Sequence, residues 1–282
     1  MKLCRFIHQG RSHIGKIVTD RVVDLSTIPG VGASMRALLT DMPALRSTLE
    51  AAAEPNYPLA DVRLVAPIDD PQKYLAIGMN YRAHAEEAAA AGIAIPTSQL
   101  WFNKQVSCIT GPYDPIDSPR ASEKLDYEAE MGVVIGKRCR HVSAAQARSV
   151  IAGYFVANDV TARDWQMRSP TYTLGKSFDT HGPIGPWITT DDEIADPHAL
   201  SIRLTVNGAE RQRGSTGDML HNIYEQIAYL TTVMTLEPGD LLATGTPAGV
   251  GIARNTFLKP GDRIRVEIEH LGAIDNLVRA EM

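Results

Sequence analysis

Two similar stretches of the chain decide its fold class: Glu237-Pro238-Gly239-Asp240-Leu241-Leu242-Ala243-Thr244-Gly245 and Lys259-Pro260-Gly261-Asp262-Arg263-Ile264-Arg265-Val266-Glu267-Ile268. In each, a Pro-Gly-Asp turn leads into a run of residues that favours a strand. Residues 131–135 and 151–156 are further compact apolar runs of strand length. Many short strands and few helices are typical of a closed or rolled β-structure and not of a doubly wound sheet. The sequence therefore predicts a mainly β fold with some α-helix.

The first part of the chain has a different pattern. Residues 1–26 alternate as short strands, and residues 33–53 carry apolar residues about one helical turn apart. Pro43 is a position at which this helix could be split in two. A Pro-rich stretch at 54–58 then breaks the pattern and is a candidate linker. We predict a small N-terminal α+β module over residues 1–66 and a catalytic domain over residues 67–282.

The overall composition excludes several classes of protein. The 282 residues carry a net charge of −5, so no basic field is available to hold nucleic acid or an anionic membrane. No apolar run approaches the roughly 18 residues that a membrane span needs. The three cysteines show no metal-site or disulfide spacing. These features predict a cytoplasmic protein that binds neither nucleic acid nor membranes.

The segment Leu125-Asp126-Tyr127-Glu128-Ala129-Glu130-Met131 is the most informative for function. On an extended chain, Glu128 and Glu130 project from the same face, and Asp126 could lie in the same row. One interpretation is a solvated strand end, where water screens the repulsion. The other is a site for a hard divalent cation, and the absence of nearby His or Cys favours Mg²⁺ or Mn²⁺ over zinc.

A third acid lies at the end of another apolar run, Tyr154-Phe155-Val156-Ala157-Asn158-Asp159. If the two runs pair as strands, Asp159 completes a face of three carboxylates with Glu128 and Glu130. Such a face leaves positions on a cation free for a chelating substrate and a water. The alternative is that Asp159 caps a following helix.

Four separated motifs, in this order and spacing, resemble the fumarylacetoacetate hydrolase family. They are Asp126-Tyr127-Glu128-Ala129-Glu130, Asn158-Asp159-Val160-Thr161-Ala162-Arg163-Asp164, Gly175-Lys176-Ser177-Phe178-Asp179 and Thr244-Gly245-Thr246-Pro247-Ala248-Gly249-Val250-Gly251. The resemblance spans residues 69–282. It implies a mixed β-sandwich roll, a homodimer, and Mg²⁺ or Mn²⁺ held by Glu128, Glu130 and Asp159. Residues 80–84 contain no acid before the His, which matches the three-ligand pattern of the smaller acylpyruvase-like members.

His84 and Glu87 would share one face of a helix predicted over residues 80–91. An ordinary solvated helix has the same pattern. The resemblance favours a catalytic pair on a segment that closes over substrate, with His84 as general base and Glu87 orienting it.

The resemblance also suggests groups that act on the substrate. Lys176 would stabilise the negative charge that develops beside a ketone, and Gln166 and Thr246 would contact the substrate. Lys104 is a weaker candidate for anion binding, Thr246 could instead belong to a structural hairpin, and His181 is a rival base.

The resemblance and these residues together imply a metal-dependent hydrolase that cleaves a C–C bond in 2,4-diketo acids of the acylpyruvate type. Water activated by the His84–Glu87 pair would attack the distal ketone, giving a carboxylate and a 2-oxo acid. The alternative uses the same site as an oxaloacetate-type decarboxylase or a 2-hydroxydienedioate isomerase or hydratase.

Overall fold

The computed structural model describes residues 1–90 and 92–282, and most of their regular structure is β-strand, as predicted. The strands in chain order are β1 (Lys2–His8), β2 (Arg11–Val18), β3 (Arg21–Asp24), β4 (Asn56–Pro58), β5 (Arg63–Val65), β6 (Tyr74–Gly78), β7 (Leu100–Lys104), β8 (Ile109–Thr110), β9 (Ile116–Ser118), β10 (Leu125–Asp126), β11 (Ala129–Ile135), β12 (Ile151–Asn158), β13 (Thr161–Ala162), β14 (Gly182–Thr190), β15 (Ser201–Val206), β16 (Ala209–Ser215), β17 (Leu241–Ala243), β18 (Arg263–Ile268) and β19 (Gly272–Ala280). The helices are α1 (Met35–Ala51), α2 (Arg82–Ala90), α3 (Ala144–Ala147), α4 (Arg163–Gln166) and α5 (Ile223–Val233).

A large mixed sheet runs through the molecule in the order β4-β3-β2-β1-β14-β12-β11-β17-β6-β7. Strand β11 lies between β12 and β17, and both neighbours are antiparallel to it. Strand β17 in turn pairs in parallel with β6. Strand β17 follows the first Pro-Gly-Asp turn. That turn therefore places a segment from near the end of the chain beside β11, the strand that carries Glu130.

A second sheet has the order β16-β15-β18-β19-β9 and packs against the first. Val133 of β11 shares one apolar cluster with Leu204 of β15 and Val266 of β18. Val134, on the opposite face of β11, belongs to a second cluster with Leu38 of α1. Strand β11 is therefore buried on both faces, which explains its continuous apolar run. The two packed sheets confirm the predicted mixed β-sandwich.

Helix α1 is continuous, so the possible split at Pro43 is wrong. Its buried face packs Met35, Leu38 and Leu49 into the second cluster. Pro43 lies on the exposed face, so its ring does not disturb the packed face. Tertiary packing of the buried face thus outweighs the loss of one helical hydrogen bond.

The N-terminal strands belong to the large sheet, because β1 pairs with β14 of the catalytic part. The predicted linker is only partly irregular, since Asn56–Pro58 forms strand β4 against β3. The extended backbone that proline imposes on its neighbours suits an edge strand. The domain boundary at residue 66 stays a prediction.

The remaining predicted elements agree closely with the structure. Residues 131–135 lie within β11 and residues 151–156 within β12. The helix predicted over 80–91 begins at Arg82 and extends to Ala90, and Ala91 lies outside the described residues. Within residues 1–90 and 92–282, no helix is long and apolar enough to cross a membrane.

Candidate metal and active site

Strands β11 and β12 bring the three predicted carboxylates together. Glu130 is paired with Ala157 across the antiparallel ladder, which places the end of β12 beside the start of β11. The backbone N–H of Asp159 donates to the carbonyl of Glu128 over 2.9 Å. The predicted strand pairing is confirmed. Helix α4 begins at Arg163 with Ala162 as its N-cap residue, so Asp159 does not cap it.

The three carboxylates form a compact buried cluster. One oxygen from each of Glu128, Glu130 and Asp159 lies within 4.8 Å of the others. Their side chains are almost completely removed from solvent. Burial excludes the solvated strand end as the explanation for the two glutamates, because like charges in a low-dielectric interior repel strongly.

Three buried cations surround this cluster. The Lys176 ammonium lies 2.7 Å from both Glu128 Oε2 and Asp159 Oδ2. The Lys104 ammonium lies 2.6 Å from Asp159 Oδ1. The Arg163 guanidinium lies 2.7 Å from Glu128 Oε1. Among the ion pairs of the described residues, Glu130 has no cationic partner, and its Oε2 accepts only from Gly245 N at 2.8 Å.

The two glutamates differ in their electrostatic surroundings. Burial raises the pKa of the Glu130 carboxyl, and the nearby Asp159 and Glu128 charges raise it further. Burial would also raise the pKa of Glu128, but the Lys176 and Arg163 charges outweigh it and hold this pKa well below its usual range. Burial alone would lower the pKa of Lys176, yet Asp159 and Glu128 raise it above its ordinary value.

The donor set fits a hard divalent cation. The clustered ligand atoms are carboxylate oxygens, which Mg²⁺ and Mn²⁺ prefer. Glu130 contributes a buried negative charge that the surrounding cations leave uncompensated. With Glu87, which also lines the cavity, the acids Asp126, Glu128, Glu130 and Asp159 outnumber the bases Lys104, Arg163 and Lys176 by two. A bound dication would offset this excess and supply local positive charge for an anionic substrate.

His84 and Glu87 lie one turn apart on α2 and face the cavity above the acid cluster. His84 Nδ1 lies 3.2 Å from Glu87 Oε2. The Glu87 carboxylate also accepts from Gly249 N at 3.2 and 3.3 Å. Because Nδ1 is engaged by Glu87, Nε2 of His84 is the nitrogen left to accept a proton.

Gln166 and Thr246 also line the cavity. Gln166 Oε1 accepts from Arg163 Nη1 at 3.0 Å, and Thr246 Oγ1 accepts from Gln212 Nε2 at 2.8 Å. A Cβ at Gly175 would lie 2.2 Å from the backbone nitrogen of Gln166. Only glycine at position 175 therefore allows the backbone that leads to Lys176 to pass so close to the backbone of Gln166.

The expectation for Lys104 stays a prediction, and the one for Asp126 is wrong. The sequence assigned Lys104 to anion binding, but its buried ammonium lies beneath Asp159 and also donates to the carbonyl of Lys176, away from the cavity wall. This placement supports a role in positioning Asp159, and a direct contact with substrate stays a prediction. Asp126 does not extend the row of glutamates, because the ladder is interrupted after β10 and its carboxylate turns toward Arg163.

The rival base, His181, is buried and does not line the cavity. Its Nε2 lies 3.0 Å from the carbonyl oxygen of Asp117, to which it donates. Burial lowers the pKa of His181 to about 3, so the ring is neutral in the folded protein. The structure therefore favours His84 over His181 as the base.

The lowered pKa of His181 predicts a pH dependence of stability. Below pH 6.5 the His181 ring binds a proton in the unfolded chain but not in the folded chain, so the stability of the folded protein falls as the pH drops toward 3. Between pH 6.5 and 5 the loss from this group is about 1.5 kcal/mol, because the slope reaches 1.36 kcal/mol per pH unit only when the unfolded ring is mostly protonated. Urea unfolding at both pH values should show this loss in the wild type and a smaller one in His181→Gln. Equal losses in the two proteins would contradict it.

The cavity above the acids has largely apolar walls. Strands β6 and β7 contribute Ile77, Leu100 and Phe102. The opposite wall comes from Val250 and Ile252, in the stretch after the Thr244-Gly245-Thr246 turn. The charged groups that line the cavity belong to the acid cluster, its cations and the His84–Glu87 pair. The cavity thus combines a polar floor with space for an apolar group.

Arg163 is the main site residue for which the sequence suggested no role. It lines the cavity, bridges Asp126 and Glu128, and donates to Gln166. Arg163 lies in the same sequence motif as Asp159, so the motif could have indicated that Arg163 belongs to the site. A buried arginine between two acids is not distinguishable in sequence from an exposed one, however.

Comparisons with known proteins agree with this geometry. A family model described as fumarylacetoacetate (FAA) hydrolase C-terminal matches residues 73–279. "Oxaloacetate tautomerase Fahd2a, mitochondrial" from Rattus norvegicus is 41% identical over 290 residues, which cover 99% of this chain and 91% of that protein.

Two solved structures are similar over the whole chain. Maleylpyruvate hydrolase from Sphingobium sp. SYK-6, in complex with manganese(II) and pyruvate, is 33% identical with a TM-score of 0.85, covering 100% of both chains. Fumarylacetoacetate hydrolase from Exiguobacterium antarcticum is 36% identical with a TM-score of 0.86, also covering 100% of both chains.

Proposed function

The chain belongs to the fumarylacetoacetate hydrolase family, and from that premise we propose that it is a divalent-metal-dependent enzyme for enolisable 2-oxo acids. The observation that carries the proposal is the His84–Glu87 pair facing a buried cluster of three carboxylates in one cavity. Glu128, Glu130 and Asp159 would hold Mg²⁺ or Mn²⁺, which supplies Lewis-acid polarisation of the substrate's carbonyl and carboxylate oxygens. The manganese and pyruvate in the similar maleylpyruvate hydrolase support this class of ligand.

For the specific reaction, we propose hydrolysis of a C–C bond in 2,4-diketo acids of the acylpyruvate type. His84 Nε2 takes a proton from water, and Glu87 holds the ring through Nδ1. Hydroxide attacks the distal ketone, the C–C bond breaks, and its electron pair passes to an enolate that is reprotonated to the 2-oxo acid. Lys176 uses two of its three N–H groups on Glu128 and Asp159, which leaves one for the developing negative charge.

The apolar walls support a substrate with an apolar acyl group. Leu100 and Ile77 offer contacts to hydrocarbon, while the lysine and arginine that line the cavity are already paired with Glu128. A second substrate carboxylate would therefore lie without a free cationic partner among the described lining residues. This feature favours acylpyruvates over dicarboxylic 2-oxo acids.

The second candidate function is keto–enol tautomerisation of oxaloacetate. It is favoured by the 41% identity to the rat oxaloacetate tautomerase over nearly the whole chain. In this reaction His84 would move a proton between the carbon next to the ketone and solvent, and no water would attack carbon. The polar floor of the cavity serves either reaction, since both pass through an enolate of a 2-oxo acid.

Proton NMR in D₂O with the Mg²⁺-loaded protein separates these reactions. A short acylpyruvate would yield a carboxylate and pyruvate if the enzyme is a hydrolase. Oxaloacetate would show accelerated exchange at its C3 position without bond cleavage for a tautomerase, and would yield pyruvate and CO₂ for a decarboxylase. The absence of all three activities, in a protein that binds the metal, would refute the proposed function.

Leu100→Ala is expected to change the preference for the acyl chain. Removing the Leu100 side chain enlarges the cavity beside Gly78, where Leu100 Cδ2 lies close to the backbone. Pockets discriminate by about 1–3 kcal/mol per methylene, so kcat/KM for long over short acylpyruvates should rise about tenfold. Val233→Ala, at an exposed site, is the control. An unchanged ratio would show that the acyl group lies elsewhere.

We also propose that the protein is a homodimer. Size-exclusion chromatography with light scattering tests this assembly directly.

A further inference from the structure

Asp126 is a fully buried carboxylate that contacts Arg163 and the loop of residues 249–252. Its Oδ1 accepts from Gly251 N at 2.6 Å, and its Oδ2 accepts from Ile252 N at 2.9 Å. The same Oδ2 accepts from Arg163 Nε at 2.8 Å. Both oxygens thus hold the loop, and one of them also holds a cation of the site.

The 249–252 loop is held from the other side by helix α2. Gly249 N donates to the Glu87 carboxylate, which in turn contacts His84. Tyr127, next to Asp126 in the chain, donates its hydroxyl proton to the carbonyl of Gly249 over 3.3 Å. Residues 126 and 127 and Glu87 therefore all contact one short loop.

The Arg163 contact connects Asp126 to the acid cluster as well. With Nε bound to Asp126, the guanidinium directs Nη2 to Glu128 and Nη1 to Gln166. A planar guanidinium has its donors in a fixed arrangement, so holding one edge determines the direction of the others. Asp126 touches neither the cavity nor the other three acids directly, and it acts only through these neighbours.

We propose that Asp126 is a positioning residue that fixes the 249–252 loop as the docking point for helix α2 and orients Arg163 toward Glu128. In this way one buried carboxylate aligns the His84–Glu87 pair with the carboxylate cluster. The inference rests on the proposed function for the catalytic role of His84. Its structural part concerns the metal-free protein and is testable without substrate.

Asp126→Asn tests the loop contact in the metal-free, full-length chain. The amide NH₂ of Asn would replace either the oxygen that accepts from Gly251 N or the oxygen that accepts from both Ile252 N and Arg163 Nε, so at least one contact is lost. Hydrogen exchange should become about tenfold faster in residues 249–252 and in α2, which corresponds to about 1.4 kcal/mol of local stability. Unchanged exchange in a folded variant would overturn the proposal.

Asp240→Asn is the matched control. Asp240 is equally buried and accepts from two backbone N–H groups, those of Lys73 and Glu237, and from the Lys73 ammonium. Its substitution should lower the melting temperature but leave exchange in residues 249–252 as in the wild type. The same faster exchange there in Asp240→Asn would show a general loss of stability and would overturn the specific role of Asp126.

Kinetics provide a second readout if the enzyme is active. Asp126→Asn should lower kcat about tenfold because the base is misaligned, and should also raise KM, since Val250 and Ile252 of the disturbed loop line the cavity. Asp240→Asn should leave kcat unchanged. Failure of the proposed function would remove this kinetic readout but not the exchange result.

Gly251→Ala disturbs the contact between Asp126 and the loop by changing the loop residue. It is the alternative test if Asp126→Asn does not fold. A Cβ at Gly251 would lie 2.5 Å from Asp126 Oδ1 and 2.3 Å from the carbonyl of Thr256. It should reproduce the faster exchange in α2. Gly32→Ala, where an added Cβ meets no atom within 4 Å, is its control. Exchange in α2 equal to that of Gly32→Ala would overturn the proposal.

Discussion

Glu130→Gln is expected to abolish Mn²⁺ binding and slow turnover about a thousandfold or more, while stabilising the metal-free protein. Loss of a Lewis acid removes several kcal/mol of transition-state stabilisation, and each 1.36 kcal/mol is a factor of ten in rate. The gain in stability arises because Glu130 is buried beside Asp159 and Glu128 without a cation of its own. Isothermal titration with Mn²⁺ and urea unfolding of the apo protein measure the two effects.

Glu128→Gln is the matched control, because it should also lose the metal but shift stability in the opposite direction. Glu128 has ionic partners in Lys176 and Arg163, and its neutral replacement would remove one of the two carboxylates that each of these cations contacts. Breaking a buried pair in this way costs about 3–5 kcal/mol. If both variants destabilise the apo protein equally, or if Glu130→Gln still binds Mn²⁺, the acids are structural and do not form a cation site.

His84→Ala is expected to bind Mn²⁺ normally and to lower kcat by about 10²–10⁴, the usual contribution of a general base. The side chain contacts Glu87 and not the carboxylate cluster, so its removal leaves the proposed ligands in place. Any decarboxylation of oxaloacetate should be less affected, since that reaction does not require an activated water. Metal titration together with initial rates on an acylpyruvate and on oxaloacetate tests the assignment.

His181→Gln is the control for the rival base and should retain wild-type kcat, because His181 is buried away from the cavity. Glu87→Gln should have an intermediate effect, since the amide oxygen can still accept from Gly249 N but no longer carries a charge beside the His84 ring. Normal hydrolysis by His84→Ala, with loss of activity in His181→Gln, would reverse the assignment of the base.

Short-range patterns account for most of the architecture that the sequence predicts. Strand length, apolar runs and Pro-Gly-Asp turns are local properties, and they place β11, β12, β17 and β18 correctly. The continuity of α1 through Pro43 could not be predicted in this way. It depends on packing of Leu38 and Leu49 against strands that are distant in sequence.

The candidate site likewise has a part that local sequence patterns predict and a part that depends on long-range contacts. The spacing of Glu128 and Glu130, with Asp159 on a paired strand, makes their convergence predictable from strand geometry. The surroundings of Lys104 and Arg163 were not predictable, because a sequence does not show whether a cation faces solvent or a buried acid. Both lie against carboxylates contributed by other segments.

The insertion of β17 between β11 and β6 affects how the nascent chain folds. The residues of β17 are synthesised long after those of β11, so one edge of β11 stays unpaired during much of translation. Its apolar run, Met131-Gly132-Val133-Val134-Ile135, is then a template for pairing with the same strand of another nascent chain, and so for aggregation. Glu128 and Glu130 place negative charge at one end of this run, where mutual repulsion between copies opposes that aggregation before the two glutamates reach their place in the folded site.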